Sequence, residues 1–398
     1  MNRKTMIPTS QHVLFLGVDS IKRDWPSQWI PIFQKWGIDS KWHSLGTDWA
    51  NAFPRGPMPS GDYDIYDIVA FAKWRGNGGD GVRYIKVGQV DHRVWSTIGY
   101  LEQMIRKDGP ALLCIWSNTT PQCRAASIIA KRLNIPVLYF EGAFFCSPRT
   151  WYHMHIIDPI GLYFQGRSWL KSGWMVRRDH PLSDRAMLSI TAFIQQWSRR
   201  RTSKYDQGWE PLPNTHGKPM LFVPLQTPSD GTMWWPETVV NRPKDLVELV
   251  VHEATPEWFP VFKRHPRDRT PVESYMCDAD PNSYAIVTSA NIHDLIGNSD
   301  GVVTINSTVG IESLALGRRV LTLGESFYSG EGWTIDVRSP KGLRNGLRSL
   351  EANPRIEGYD WERLLRFLYW IVFIYLADRS EPRLSARIAI AYNEAYAA

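Results

Sequence analysis

At 398 residues, with 43% hydrophobic and 22% charged residues, the chain is globular and not disordered, and it is too long for one compact core. Its net charge of +6, from 46 basic against 40 acidic residues, fits an anionic partner such as a phosphorylated donor, an acidic glycan or lipid headgroups. No arginine-rich arm or nucleic-acid motif accompanies that charge, which argues against nucleic acid, and the four cysteines form no Cys-x-x-Cys pair, which argues against a zinc site.

Cys114, Cys123, Cys146 and Cys277 read as buried thiols of a reducing cytoplasm. The first residues show no signal-peptide pattern, and no run of about 18 apolar residues spans a bilayer. Aromatic residues make up 13% of the chain, 19 of them Trp, which suits a thick core, sugar-stacking surfaces or an interfacial belt equally.

In chain order, residues 12–17 predict the first strand of a parallel sheet. Residues 19–37 follow, with Trp25, Trp29, Ile32, Phe33 and Trp36 at helical spacing and Pro26 and Pro31 near the start. Residues 48–62 predict a long loop, and 65–74 are a mixed apolar stretch. The glycine-rich turn at 76–81 lacks the Lys-Ser pair of a phosphate cradle. Residues 101–107 predict a helix. Residues 111–116 predict a buried strand ending in Ser117 and Asn118, 121–133 a helix, and 136–140 a strand with Glu141 at its tip. This β-α-β order implies a parallel sheet. Residues 151–180 carry Trp151, His153, His155, Tyr163, Trp169 and Trp174. They lack a credible metal-ligand set and predict an apolar ceiling or an acceptor-binding wall. A helix at 181–201 leads into a linker at 205–218, where the domain boundary is placed.

The second half opens with a buried strand at 219–225 that runs into Gln226, Thr227, Pro228, Ser229, Asp230 and Gly231, which is turn chemistry. A helix at 244–254 precedes a strand around Phe262 that ends in Lys263, Arg264 and His265. A short strand at 284–287, a helix from 292, a strand at 301–305 ending before Asn306, a helix at 308–316 and a strand at 319–323 complete it. Ligands of open α/β sheets bind at the carboxyl ends of strands, so these three polar tips are expected to line one cleft. The fold class is therefore α/β: two Rossmann-like domains facing a cleft, in the GT-B manner. They span 1–210 and 215–355, with C-terminal helices at 356–398 packing back across to the N-terminal domain. The apolar centre of that tail, 367–377, is flanked by Arg363, Arg366 and Arg379. It reads either as a buried helix or as an interfacial membrane helix.

The chemistry sits on the strand tips. Ser307 and Thr308 stand at a strand-to-helix junction, where backbone N–H groups favour phosphate, and Glu312 one turn later suits ribose hydroxyls. The bland reading is an N-cap and an exposed glutamate. Lys263 and His265 alternate onto one face, suited to binding or protonating a phosphate; the bland reading is a basic strand edge. Asp230 and Glu141 are two carboxylates from different domains, as glycosyl transfer uses, although Asp230 also fits a plain turn.

Taken together, Glu141 to Pro148, Asp158 to Tyr163, Pro224 to Asp230, Lys263 to Pro266 and Asn306 to Gly317 resemble the bacterial capsule-polysaccharide β-Kdo transferases. These include the enzymes of the poly-Kdo linker and the related O-antigen Kdo-capping domain. The resemblance covers roughly residues 110–330. It implies a retaining transferase that uses CMP-β-Kdo as donor substrate, without a metal or other cofactor. By the resemblance, Asp230 is the nucleophile and Glu141 the acid/base, with Asp158 as a second candidate for that role. His265 and Ser307 hold the CMP phosphate, helped by Lys263 and Thr308. Glu312 holds the ribose, and Gln226 orients donor or nucleophile. The implied partners are CMP-Kdo and a polysaccharide or glycolipid acceptor, in the cytoplasm or at the inner face of the membrane. Two other classes fit the same residues. One is a nucleotide-dependent polymer transferase of the glycerophosphotransferase kind, centred on His265. The other is a non-catalytic glycan-binding module.

Overall fold

The computed structural model describes residues 12–17, 25–45, 92–116, 121–161, 169–205, 208–228, 230–234, 238–254 and 256–397. The readings made at 48–62, 65–74 and 76–81, and those at Ser117, Asn118 and Tyr163, lie outside the described residues. The chain forms two units. One comprises residues 1–143, 154–172 and 375–398, and the other residues 144–153 and 173–374.

In the first unit, β1 (Val13–Gly17), α1 (Trp25–Lys35), β2 (Ser40–Ser44), α2 (His92–Asp108), β3 (Leu112–Trp116), α3 (Pro121–Arg132), β4 (Val137–Cys146) and β5 (His153–Asp158) follow one another. The sheet order is β2-β1-β3-β4-β5, extended by β12 (Leu376–Ala377) from the end of the chain. Strands β1, β2, β3 and β4 pair in parallel, whereas β12 runs antiparallel to β5. Strand β1 reads VLFLG and is buried throughout, as a strand covered on both faces must be. Trp25, Trp29 and Phe33 of α1 close one face, at the spacing that marked the helix in sequence. Leu384, Ile388 and Ala391 of the last helix, α11 (Leu384–Ala397), join that same core.

The second unit holds α5 (Asp184–Arg200), β6 (Met220–Pro224), α6 (Pro243–Ala254), β7 (Phe259–Lys263), β8 (Ala285–Val287), α7 (Ile292–Asn298), β9 (Gly301–Thr304), α8 (Val309–Ala315), β10 (Val320–Thr322), β11 (Thr334–Asp336), α9 (Leu343–Ala352) and α10 (Gly358–Tyr369). A further helix, α4 (Trp169–Arg177), begins in the first unit and ends in the second. The sheet order is β8-β7-β6-β9-β10-β11, and the neighbouring strands pair in parallel. This is the dinucleotide-fold order, in which the chain reverses direction between its first and fourth strands. Here that reversal lies between β6 and β9. Leu246, Val247 and Val250 of α6 and Leu343 and Leu347 of α9 pack with Leu221, Val223 and Val303 into one core.

The domain boundary needs correction. The division of contacts falls at residues 172/173 and not at 210–215. The cause is that α5 buries Phe193 and Trp197 against second-unit rings. Phe193 meets Phe373 at 6.3 Å, and Trp197 meets His293 at 4.6 Å. Of the two readings of the apolar tail, the buried one fits. Helix α10 continues as a π-helical turn over Trp370–Tyr375 and then as strand β12. Phe367, Ile371, Tyr375 and Ala377 are each 0% exposed, so these side chains are core. Among the described residues no helix is long and apolar enough to cross a membrane.

Gly310 shows how tightly the second sheet fixes its strand tips. A Cβ at Gly310 would lie 2.2 Å from the Tyr328 hydroxyl, which donates to the Ser307 carbonyl at 2.6 Å. Tyr328 is fully buried. Gly310→Ala is expected to cost about 1–3 kcal/mol through overpacking, read as a lower urea midpoint. An unchanged midpoint would contradict this packing.

Candidate functional site

The carboxyl ends of β6 and β9 flank the reversal point of the second sheet, and a connected polar cluster spans them. Gln226 follows β6 and is 5% exposed. Its Nε2 lies 3.1 Å from Asp230 Oδ2, 2.9 Å from Thr232 Oγ1 and 3.0 Å from Asn306 Oδ1, so two amide protons serve three acceptors. Its Oε1 is buried and has no hydrogen-bond partner among the described residues. Asp230 Oδ1 accepts from the Thr232 N–H at 3.0 Å and from the Thr232 hydroxyl at 2.8 Å. The first of these is an Asx-type turn, which explains why Asp230 to Thr232 folds back locally. Asn306 follows β9 and donates Nδ2 to the Thr232 carbonyl at 2.8 Å. The turn after β6 is thereby tied to the turn after β9 from both sides.

His265 lies just beyond β7, the next strand out. The Arg267 N–H donates to its Nδ1 at 3.1 Å, which places the proton of the neutral ring on Nε2. Burial pushes this imidazole down to about 4; the Asp230 carboxylate opposes the shift, and Lys204 and Arg267 reinforce it. The ring of Tyr205 stands edge-on to it at 5.0 Å. Lys263 does not share these surroundings, contrary to the one-face expectation. Strand β7 ends at Lys263, so strict alternation stops there. Its Nζ donates to the Thr288 carbonyl at 3.1 Å, and burial lowers its pKa while Glu210 opposes.

Glu312 on α8 is 1% exposed and is no surface glutamate. Burial raises its carboxyl to about 8, with the Ser203 hydroxyl and Lys204 opposing. Ser203 Oγ donates to Oε2 at 3.4 Å. Ser307 caps α8, its Oγ accepting from the Val309 N–H at 3.3 Å, and Thr308 precedes the helix with no side-chain cap bond.

Glu141 and Asp158 belong to the first unit. Strand β4 runs on to Cys146, so Glu141 is not at its tip. Among the described residues, however, pairing with β3 reaches as far as Phe140, just before Glu141. It is half-buried and accepts from the Gly142 N–H at 2.9 Å. Asp158 is 0% exposed. Its carboxylate accepts from the N–H groups of Ile160, Gly161 and Trp169 and from the Tyr375 hydroxyl at 3.0 Å. Burial lifts it to about 6 against those donors. Asp158 therefore knits the end of β5 to α4 and to the returning tail.

Sequence reasoning missed Thr232, Ser203, Lys204 and Tyr205, and gave Asn306 no role. Thr232 had a signal, since an Asp two residues before a Thr in a turn is an Asx-turn pattern. Residues 203–205 had none, because Ser203 and Lys204 read as a solvated helix end and Tyr205 as the start of the linker.

The model of the family described as "Capsule polysaccharide biosynthesis protein" matches residues 172–349. Protein FixF of Sinorhizobium fredii is 40% identical over 154 residues, which is 36% of this chain and 38% of that protein. The capsule polysaccharide modification protein LipA of Neisseria meningitidis serogroup B is 23% identical over 243 residues, 58% of this chain and 34% of that protein. The chain thus spans well under half the length of these relatives. Among solved structures, Thermosulfurimonas dismutans KpsC, beta Kdo 2,4 transferase, superposes with a TM-score of 0.53 at 17% identity, covering 89% of each chain, which is a likeness of fold. The matched segment holds the whole second sheet with Gln226, Asp230, His265 and Glu312, so it is this part of the chain that is similar to the capsule polysaccharide biosynthesis protein family.

Proposed function

We propose that the chain is a retaining β-Kdo glycosyltransferase that moves Kdo from CMP-β-Kdo to a surface polysaccharide or glycolipid. The observation that carries the reading is the carboxylate of Asp230, aimed by Gln226 and Thr232 at the reversal point of a nucleotide-type sheet. Kinship with capsule proteins and a fold shared with a β-Kdo transferase support the donor class.

The hydrogen bonds distinguish the two oxygens of Asp230. Oδ1 accepts two bonds from Thr232, which fills its lone pairs, whereas Oδ2 accepts one from Gln226. Oδ2 is therefore assigned the attack on the anomeric carbon. The bond from that carbon to the phosphate oxygen breaks, and its electron pair leaves on CMP. His265 donates from Nε2 to the departing phosphate, and Lys204 adds positive charge beside it. Ser307 and Thr308 are assigned to the same phosphate. In the second step an acceptor hydroxyl displaces Asp230 from the anomeric carbon, and its proton passes to Glu141, the carboxylate assigned as acid/base. Two displacements give net retention. The unpartnered Oε1 of Gln226 is assigned to a hydroxyl of the sugar. Glu312, neutral at pH 7, can both donate to and accept from ribose hydroxyls. Lys263 is committed to Thr288 and is assigned to loop support instead of the phosphate. A pKa of about 4 makes His265 a weak base, which disfavours the phosphotransferase reading.

Incubation with CMP-Kdo and short Kdo-bearing acceptors, followed by NMR of the product, is expected to show CMP release and a β-linkage. Asp230→Asn should lower kcat by about 1,000-fold or more at unchanged stability. An α-linked product would contradict double displacement, and no CMP release with any acceptor would contradict the donor. A second expectation concerns pH. Glu312 has a folded pKa raised to about 8 from 4.5, so its contribution to stability is full below 4.5 and is lost as pH rises through about 8. Glu312→Gln, which cannot ionise, should flatten the fall in thermal midpoint between pH 5 and about 8.5. A wild-type profile matching that of the variant would contradict the buried neutral carboxyl.

A further inference from the structure

The proton of the neutral His265 ring sits on Nε2 because the Arg267 N–H occupies Nδ1, and that bond depends on a short turn. The turn begins where strand pairing ends, with the Arg264 N–H on the Val287 carbonyl at 2.9 Å. His265 to Asp268 then reverse direction, the Asp268 N–H donating to the His265 carbonyl at 2.9 Å. Pro266 stands second in this four-residue turn, where its fixed φ suits the reversal. Arg267 stands third, and this place brings its N–H to His265 Nδ1 at 3.1 Å. Pro266 and Arg267 are exposed, whereas Asp268, which closes the turn, is 7% exposed.

Burying a carboxylate is costly, and the backbone bond of the turn does not need one. The Asp268 side chain has another task. Its Oδ1 accepts the Thr270 N–H at 3.0 Å, and its Oδ2 accepts the Tyr275 hydroxyl at 2.5 Å. Arg264 donates Nη1 to the Thr270 carbonyl at 2.9 Å, so the turn is secured on both flanks. Tyr275 is buried in the apolar core of the second sheet. Burial and the Asp268 carboxylate push its hydroxyl up to about 12, which keeps it a donor at neutral pH. A short bond to a carboxylate is among the stronger hydrogen bonds a protein makes. A hydroxyl rooted in the core thus holds the carboxylate, the carboxylate holds the turn, and the turn holds the imidazole. We propose that Asp268 and Tyr275 are positioning residues of the donor-phosphate subsite, keeping His265 Nδ1 an acceptor and Nε2–H available to the departing phosphate. Both act through His265, an assignment that rests on the nucleotide-donor reading above.

The test joins NMR titration of the His265 ring in the full chain, its signal assigned by its loss in His265→Gln, to calorimetry with CMP and with cytidine, which lacks the phosphate. In wild type the ring is expected to titrate near pH 4, because burial holds it down. Tyr275→Phe removes one oxygen and no charge. It should free the turn, raise that midpoint towards the ordinary 6.5, and weaken CMP by about tenfold while leaving cytidine unchanged. Asp268→Ala should act in the same direction. The amide of Asp268→Asn still accepts from the Thr270 N–H and can donate to the Tyr275 oxygen, so this variant should keep the midpoint at or below about 4 and restore most of the CMP affinity. His293, whose Nε2 donates to the Thr202 carbonyl at 3.0 Å, reports in the same spectra that the second unit is folded. An unchanged His265 midpoint in both Tyr275→Phe and Asp268→Ala overturns the positioning role. CMP and cytidine weakened equally also overturns it, because the effect would then not be on the phosphate. A wild-type chain that binds no CMP, with the midpoint moving as expected, overturns the donor reading and the phosphate subsite while the hold of the turn on the ring stands.

Discussion

The candidate site depends on one bridge, the Gln226 amide reaching Asn306 across the reversal point of the second sheet at 3.0 Å. Strand β6 hands the chain on towards β7, and β9 hands it on towards β10, so the turns after β6 and β9 lead apart and leave a crevice. An open crevice does not by itself aim a side chain. The bridge does so, because the same amide nitrogen also holds Asp230, and Asn306 returns a bond to the Thr232 backbone. Each member restrains the next, and a buried polar network of this kind specifies one geometry when its donors and acceptors are matched. The orphan is Gln226 Oε1, an acceptor on the same amide that aims the carboxylate.

Around this bridge, burial sets the charges. Glu312 is driven towards its neutral form and His265 is held neutral, while the Lys263 ammonium is tied to a carbonyl. Burial thus favours the neutral forms of Glu312 and His265, and in the proposed reaction these oriented donors would meet the phosphate of the donor. Lys204 influences both His265 and Glu312, which makes it the cation shared by the proposed phosphate and ribose subsites. The surplus of basic residues in the chain acquires a local meaning at this point.

Much of this was legible in the sequence where one element carried the signal. The apolar runs ending in Gln226, Lys263 and Asn306 announced strands with polar tips, and they are β6, β7 and β9. What failed depended on distant partners. Asp158 looks like any strand-end carboxylate until the Tyr375 hydroxyl, 217 residues away, covers it. The run 367–377 could be core or interface, and only its packing decided. Glu210 looked like part of the 205–218 linker because its partners, Thr288 and Ser289, lie about eighty residues further on. Thr232 was within reach of an Asx-turn argument, but nothing local told that its hydroxyl would join the carboxylate of Asp230.

The central claim is that Oδ2 of Asp230 becomes bonded to the sugar. Intact-protein mass spectrometry after brief incubation with CMP-Kdo and no acceptor tests it most directly, with peptide mapping of any adduct. The expected result is a gain of one Kdo residue, mapped to Asp230 and chased off by acceptor. Turnover to product with no adduct at any time, or an adduct mapped to another residue, would contradict it.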